Sequence, residues 1–298
     1  MNIRDLQAFV HLSQNLHFNK TAEMIHTSAS TLSRMIQRLE VEFDQKFFER
    51  DNRTVQLTPA GKRFAIFAQD VIAQWELLRS DLNTESELLH GEITIYCTVT
   101  AAHLYLPELI EKFRQRHPGV EIKLETGDVA NAFNKVENGD ADFAFAVSED
   151  RVAEKFLFQH LHHIPFKVIA PSQPTQFSKY LPSSPTDEVE WQHLPFVMPE
   201  AGPAQRRVKQ WLKDMQLKPK IYAQVSGHEA IVSMTALGCG VSAVPEPVLA
   251  LSPARDRVQV LPTPFPPKPF DLGMLCLKRR IEQPLLKAFW ELVVELSA

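Results

Sequence analysis

Apolar residues recur at helical spacing through the first sixty positions of the chain. Ile3, Leu6 and Val10 share one face of a helix over residues 3–16, with Phe9 adjoining. Ala22 and Ile25 point inward from a short helix over 20–26, with Asn19 as its cap. Cap-type residues Thr27-Ser28-Ala29-Ser30 open a third helix. There Leu32, Ile36, Leu39 and Phe43 stand at i, i+4, i+7 and i+11, an inward stripe. Its opposite face is polar: Ser30, Thr31, Ser33, Arg34, Gln37 and Arg38. Residues 47–58 then read as two short strands around a turn at Asp51-Asn52, with Arg50 and Arg53 beside it.

Thr58 and Pro59 are suited to cap and begin a long helix over 59–89. Phe64, Ala68, Val71, Trp75, Leu78 and Leu82 step alternately by four and three along it. That is the 3.5-residue period of a coiled-coil seam. A helix packed on its own domain is the alternative, and the regularity favours dimerisation.

From Gly91 strands alternate with helices. Strands at 93–99, 121–126 and 142–147 enclose helices at 103–117 and 129–138. A second succession after residue 195 places strands at 196–198, 221–225 and 240–244 around helices at 204–215 and 228–237. Such βαβαβ units predict parallel sheets and two lobes with a cleft between them. The run Pro262–Pro269 reads as an extended crossing between lobes, before a strand at 271–277 and a helix at 281–296. The expected domains are 1–58, a linker helix 59–90, and an α/β domain 91–298. Lobe I would take 91–162 and 269–298, and lobe II 163–268.

Length and composition agree with a soluble multidomain protein of 298 residues. No apolar run is long enough to span a membrane, and no secretory pattern opens the chain, so cytoplasmic residence is expected. Cys97, Cys239 and Cys276 are too scattered for a disulfide or zinc framework and read as buried thiols. The net charge of −4 argues against bulk electrostatic coating of nucleic acid, and residues 1–58 carry seven Lys/Arg against seven Asp/Glu. DNA contact must come from local placement of cations. Small hydroxyls at the start of the third helix allow close approach to base edges, and Arg34 can reach guanine. Arginines of the hairpin suit phosphate or minor-groove contact. Three helices and a hairpin make a winged helix-turn-helix. Its candidate DNA contacts are Ser28, Ser30, Thr31, Ser33, Arg34, Arg38, Arg50 and Arg53.

The N-terminal part resembles the LysR-type transcriptional regulators. The resemblance rests on Phe9, Phe18, Ala22, Ser28, Thr31-Leu32-Ser33-Arg34, Ile36, Arg38-Leu39-Glu40, Phe47-Phe48, Arg50, Leu57-Thr58 and Gly61. Ala29 departs from the family's usual glutamine or proline, removing one base or phosphate contact. Phe43-Asp44 replaces its usual Leu-Gly helix stop, a change confined to the helix end. The rest of the chain is similar to the family's periplasmic-binding-protein-like effector domain. Stretches 99–102, 120–128, 227–230 and 236–241 resemble a branch activating acetohydroxy acid isomeroreductase expression in isoleucine-valine biosynthesis. The resemblance implies a ligand-responsive activator. Its partners would be double-stranded promoter DNA, RNA polymerase, and further copies of itself in a dimer or tetramer. Its effector would be a small carboxylate, acetolactate or acetohydroxybutyrate.

Ligands of open α/β sheets sit beyond the carboxyl ends of the strands. Here those ends lead into helix N-termini, which favour anions. Thr98, Thr100, Ala101, Gly127, Gly202, Arg206, Arg207, Ser226 and His228 are the candidate effector contacts. Arg206 and Arg207 oppose the helix dipole in a first turn, so an anion there would relieve them; a solvent-facing pair is the alternative. Ser226 and Glu229 have capping-box spacing, and Thr100 could equally be a cap. A packed role for His228 stands beside a ligand role. His160, His162 and His163 invite a metal reading, yet no carboxylate or cysteine lies near in sequence, and adjacent strand residues face apart. No metal or cofactor is expected. No P-loop, GxGxxG, GxSxG or HExxH pattern occurs, so no catalytic residue is assigned. A bifunctional enzyme with an appended DNA-binding domain is the alternative class. A solute-binding protein would require an export signal.

Overall fold

The computed structural model describes residues 1–50, 55–82, 89–148, 152–182 and 189–297. The chain divides into two compact units. One is built on residues 1–89 with segments 138–140 and 280–287, the other on 90–137, 141–279 and 288–298.

The first unit contains α1 (Ile3–Asn15), α2 (Phe18–Met24), α3 (Ala29–Glu42), β1 (Phe48–Arg50), β2 (Val55–Leu57) and α4 (Pro59–Leu82). The cap of α2 corrects the sequence reading. His17, not Asn19, takes that position, its Nδ1 accepting from the Lys20 N–H at 3.3 Å. Ser28 caps α3 by accepting from the Thr31 N–H at 3.1 Å. The end of α3 forms a Schellman motif: the Gln45 N–H donates to the Glu40 carbonyl at 3.0 Å and the Asp44 N–H to the Val41 carbonyl at 3.3 Å. Asp44 stands at φ +48°, the left-handed conformation that a glycine normally fills there.

An aromatic cluster forms the centre of this unit. Phe9 meets Phe64 and Phe47 edge-on at 4.8 and 5.4 Å, and Phe47 stacks on Phe64 at 4.2 Å. Leu6, Leu12, Leu32, Ile36 and Leu39 close around them. β1 and β2 pair antiparallel; residues 51–54 between them, Arg53 included, lie outside the described residues. Thr58 ties this hairpin to α4, donating to the Lys46 carbonyl at 2.7 Å and accepting from the Gly61 N–H at 2.9 Å. A side chain on Gly61 would collide with the Phe47 backbone carbonyl, so the close approach requires glycine.

The second unit begins with β3 (Gly91–Cys97), α5 (Val99–Leu104), α6 (Leu106–Arg116), β4 (Val120–Thr126), α7 (Ala132–Glu137), β5 (Phe143–Ser148) and β6 (Phe156–Ile164). It continues with β7 (Phe166–Pro171), β8 (Phe196–Pro199), α8 (Gly202–Asp214), β9 (Ile221–Val225), α9 (His228–Ala236), β10 (Ser242–Pro245), α10 (Glu246–Leu251) and β11 (Val258–Val260). β12 (Phe270–Leu277) and α11 (Pro284–Ser297) complete it. The first lobe's sheet runs β4-β3-β5-β12-β6. Only the β3 pairings with β4 and β5 are parallel, because β12 enters from the other lobe and pairs antiparallel with both β5 and β6. The expected wholly parallel sheet is therefore mixed. In the second lobe β8 and β9 are parallel while β7 lies antiparallel between β10 and β11. The chain crosses between lobes twice, from β6 into β7 and through the proline run into β12.

Candidate functional site

The polar face of α3 begins at its cap. The Ser28 hydroxyl lies 2.9 Å from that of Ser30 and 2.8 Å from that of Thr31, so the three form one hydroxyl cluster at the helix N-terminus. Ser30, Thr31, Arg34 and Gln37 are exposed, and Ser33 is half-buried. Leu32, Ile36 and Leu39 anchor the opposite face, each fully buried. Arg38 is exposed but tethered: it donates to the buried Asp5 carboxylate of α1 at 2.6 Å. Glu40 is buried too, accepting from the Phe47 and Phe48 N–H groups at 2.8 and 3.3 Å. It thereby sets the direction in which the chain leaves α3 for the hairpin. Arg50 ends β1.

In the second unit a cavity of about 50 Å³ opens between the lobes. At that size it has room for roughly four waters, the scale of a small organic acid. Its walls are mostly branched and aromatic, including Val129, Ile164, Val248, Phe270 and Leu272. Thr98, Thr100, Tyr105 and His228 also line it, with the two threonine hydroxyls turned to Ala101 and Glu229. Thr98 caps α5, accepting from the Ala101 N–H at 3.2 Å. His228 opens α9, and its Nε2 is shut off from solvent with no hydrogen-bond partner among the described residues. Burial lowers its pKa below the ordinary histidine value, against the opposing pull of Glu229 and Asp128. The imidazole is thus neutral at pH 7, and its unsatisfied nitrogen lies buried behind the cavity wall.

Polar pairs cross from lobe to lobe. Thr100 donates to Glu229 at 2.8 Å and Ser226 to Asp128 at 3.3 Å. The capping box expected from Ser226 and Glu229 is not formed: Gly227 is the cap residue of α9 and no side chain bonds there. Both side chains are engaged across the cleft instead. Gly202, at φ +76°, comes so close to Ala130 that a side chain would clash.

The model of the lysR-family bacterial regulatory helix-turn-helix protein matches residues 3–62, and that of the LysR substrate binding domain matches residues 86–298. The chain belongs to the LysR family of transcriptional regulators. It is 43% identical over 296 residues to the HTH-type transcriptional activator IlvY of Salmonella typhimurium, covering 98% of this chain and 99% of that one. The activator of that name from Haemophilus influenzae is 42% identical over 294 residues, covering 98% and 100%. A full-length OxyR variant from Pseudomonas aeruginosa superposes with a TM-score of 0.72 at 22% identity, covering 99% and 94% of the two chains. With regulators matching along its whole length, this chain is a regulator and not an enzyme, which removes the bifunctional alternative.

Within this regulator the predicted effector residues separate into two groups. Thr98, Thr100, Ala101 and His228 line the cavity. Gly127, Gly202, Arg206, Arg207 and Ser226 do not. Gly127 packs against the Tyr96 ring, whose hydroxyl donates to the Asp128 carbonyl at 2.8 Å. Arg206 and Arg207 are the fifth and sixth residues of α8, beyond the first turn. The helix dipole therefore does not call for an anion beside them, since that field fades within a turn. Tyr105, Ile164, Phe270 and Leu272 also line the cavity and were not among the expected contacts: Tyr105 directly follows α5, whereas β6 and β12, where the chain passes between lobes, bring the other three to the cleft. Arg38, also expected to contact DNA, is paired with Asp5 while its side chain remains largely exposed. Cys97 and Cys276 are buried, whereas Cys239 is only partly so. Burial pushes the Cys97 thiol up to about 11, far from a reactive thiolate. No described helix is long and apolar enough to cross a membrane.

Proposed function

We propose that this regulator activates genes of branched-chain amino acid biosynthesis in response to acetolactate or acetohydroxybutyrate bound at His228. The observation carrying this reading is the interlobe cavity, walled by branched and aromatic side chains, with the unpartnered imidazole nitrogen of His228 buried in the residue that lines it. The branched carbon skeleton of such an acid matches that lining. Its anion would be drawn toward the N-termini of α5 and α9, whose first residues lie beside the cavity. The resemblance to relatives named as activators supports the same direction of control. Ser28, Ser30, Thr31, Ser33, Arg34, Arg50 and Arg53 contact promoter DNA, and Arg38 contributes by holding α3 on α1. Exposed apolar positions of α4 assemble the dimer, and pairs of dimers a tetramer. The regulator works in the cytoplasm, and the effector-bound form engages RNA polymerase.

Transcription in vitro from the acetohydroxy acid isomeroreductase promoter tests the proposal. Acetolactate should raise transcript yield with the wild-type chain, and its decarboxylated analogue acetoin should not. At 100 times its dissociation constant acetolactate should also stabilise the chain by about 2.7 kcal/mol. That stabilisation should be lost in His228→Leu. Equal responses to acetoin and acetolactate would refute a carboxylate effector.

A further inference from the structure

The triple histidine stretch of β6 takes on a different meaning in three dimensions. A β-bulge interrupts the pairing of β6 with β12: Leu272 faces His162, whereas Gly273 faces His160, so Leu161 is left out of register. In an unbroken strand His160 would share a face with His162. The extra residue turns it onto the face of His163 instead. Asp271, directly opposite His163 on β12, supplies the carboxylate that no neighbouring position in sequence provides.

These three side chains converge. His163 Nδ1 lies 2.5 Å from Asp271 Oδ1, and His160 Nε2 lies 3.8 Å from the same oxygen. The two imidazole rings are 4.4 Å apart, and one ligand atom from each residue falls within 4.8 Å of the others. A divalent ion with nitrogen and oxygen ligands at about 2.0–2.2 Å in tetrahedral array holds its donors roughly 3.3 Å apart. The two measured separations from Asp271 lie either side of that value. All three side chains are open to solvent, so small rotations can equalise them and water can take the remaining position.

We propose that His160, His163 and Asp271 form a binding site for a transition-metal dication, with zinc as its reference ion. Two imidazoles and one carboxylate favour zinc, nickel or cobalt over magnesium and calcium, which prefer sets of oxygen ligands. The placement gives such an ion mechanical leverage. β6 and β12 are the strands through which the chain leaves and re-enters the first lobe. On their other face Ile164, Phe270 and Leu272 line the cavity, and His162 stacks on Tyr105 at 4.4 Å. A bound ion therefore braces the two strands that form the cavity wall.

Untagged full-length protein titrated with Zn²⁺ in a calorimeter, and with Co²⁺ followed by visible absorption, tests the assignment. Wild type should bind one zinc per chain, show the d–d bands of cobalt held by nitrogen and oxygen, and ignore Mg²⁺. His163→Ala and His160→Ala should each weaken zinc at least tenfold and remove the bands. Asp271→Asn, close in shape, should weaken zinc with an unchanged circular dichroism spectrum, separating ligand loss from misfolding. The control His103→Ala/His193→Ala should bind as wild type. Absence of saturable zinc binding in wild type, or wild-type affinity in the His160→Ala/His163→Ala double variant, would overturn the site.

Discussion

Arg34 and Arg38 lie one turn apart on α3, yet their surroundings assign them different tasks. Arg34 is exposed on the polar face, whereas Arg38 compensates a carboxylate buried beneath it. Arg34→Ala should cost about 1–3 kcal/mol at the operator, narrow the ratio of operator to random-DNA affinity, and leave the melting temperature unchanged. Arg38→Met should lower the melting temperature by leaving Asp5 buried without its partner. Binding isotherms on both DNAs, beside thermal melts, check the pair; an unchanged affinity ratio for Arg34→Ala would remove it from the readout face. His228 makes a second prediction. Burial holds its pKa below 6.5, so the unfolded chain takes up a proton near that pH while the folded chain stays neutral. The unfolded state then binds more protons, and stability falls as the solution is acidified through 6.5. His228→Gln should flatten the dependence of melting temperature on pH over roughly 7 to 5.5. The same slope in the variant would mean that other groups carry it.

Among the elements, α3 shows how a helix end can form without its customary residue. Both Schellman hydrogen bonds are present, so the fold tolerates Asp44 at positive φ, and the penalty is local backbone strain. Asp44→Gly should therefore stabilise the N-terminal unit, by about 1 kcal/mol relative to the strained residue, partly offset by the entropy of glycine in the unfolded chain. Chemical denaturation measures this, and a destabilised variant would show that the Asp44 side chain makes a compensating contact. β6 makes the complementary point. Its bulge re-aims one histidine without altering strand length, and a two-residue periodicity cannot register that change.

The whole molecule adds assembly. Phe64 and Ala68, the first two positions of the seam in α4, are buried in the core of the N-terminal unit. The seam as read from spacing thus has two owners. Farther along, Trp75 is 38% and Leu78 59% exposed, and these positions can pack on another copy. Leu78→Asp would place a charge at the centre of such a contact, with a penalty of several kcal/mol. Sedimentation should show the monomer while circular dichroism retains the native helix and sheet content. An intact dimer or tetramer in this variant would exclude the outer half of α4 from the interface.

The sequence alone determined the local periodicities and their direct consequences: three amphipathic helices, the capped start of α4, the succession of strands and helices, and the polar face carrying Arg34. These features depend on neighbours within a few positions, so spacing reveals them. Tertiary structure decided everything that required distant segments to meet. It matched Asp5 with Arg38, sent β12 antiparallel into the first lobe's sheet, and drew Ser226 and Glu229 away from a capping box to partners across the cleft. It brought Ile164, Phe270 and Leu272 to the cavity, and it set Asp271 beside His163. Each outcome rests on a through-space contact between residues tens of positions apart or more, for which a pattern of local spacing holds no signal.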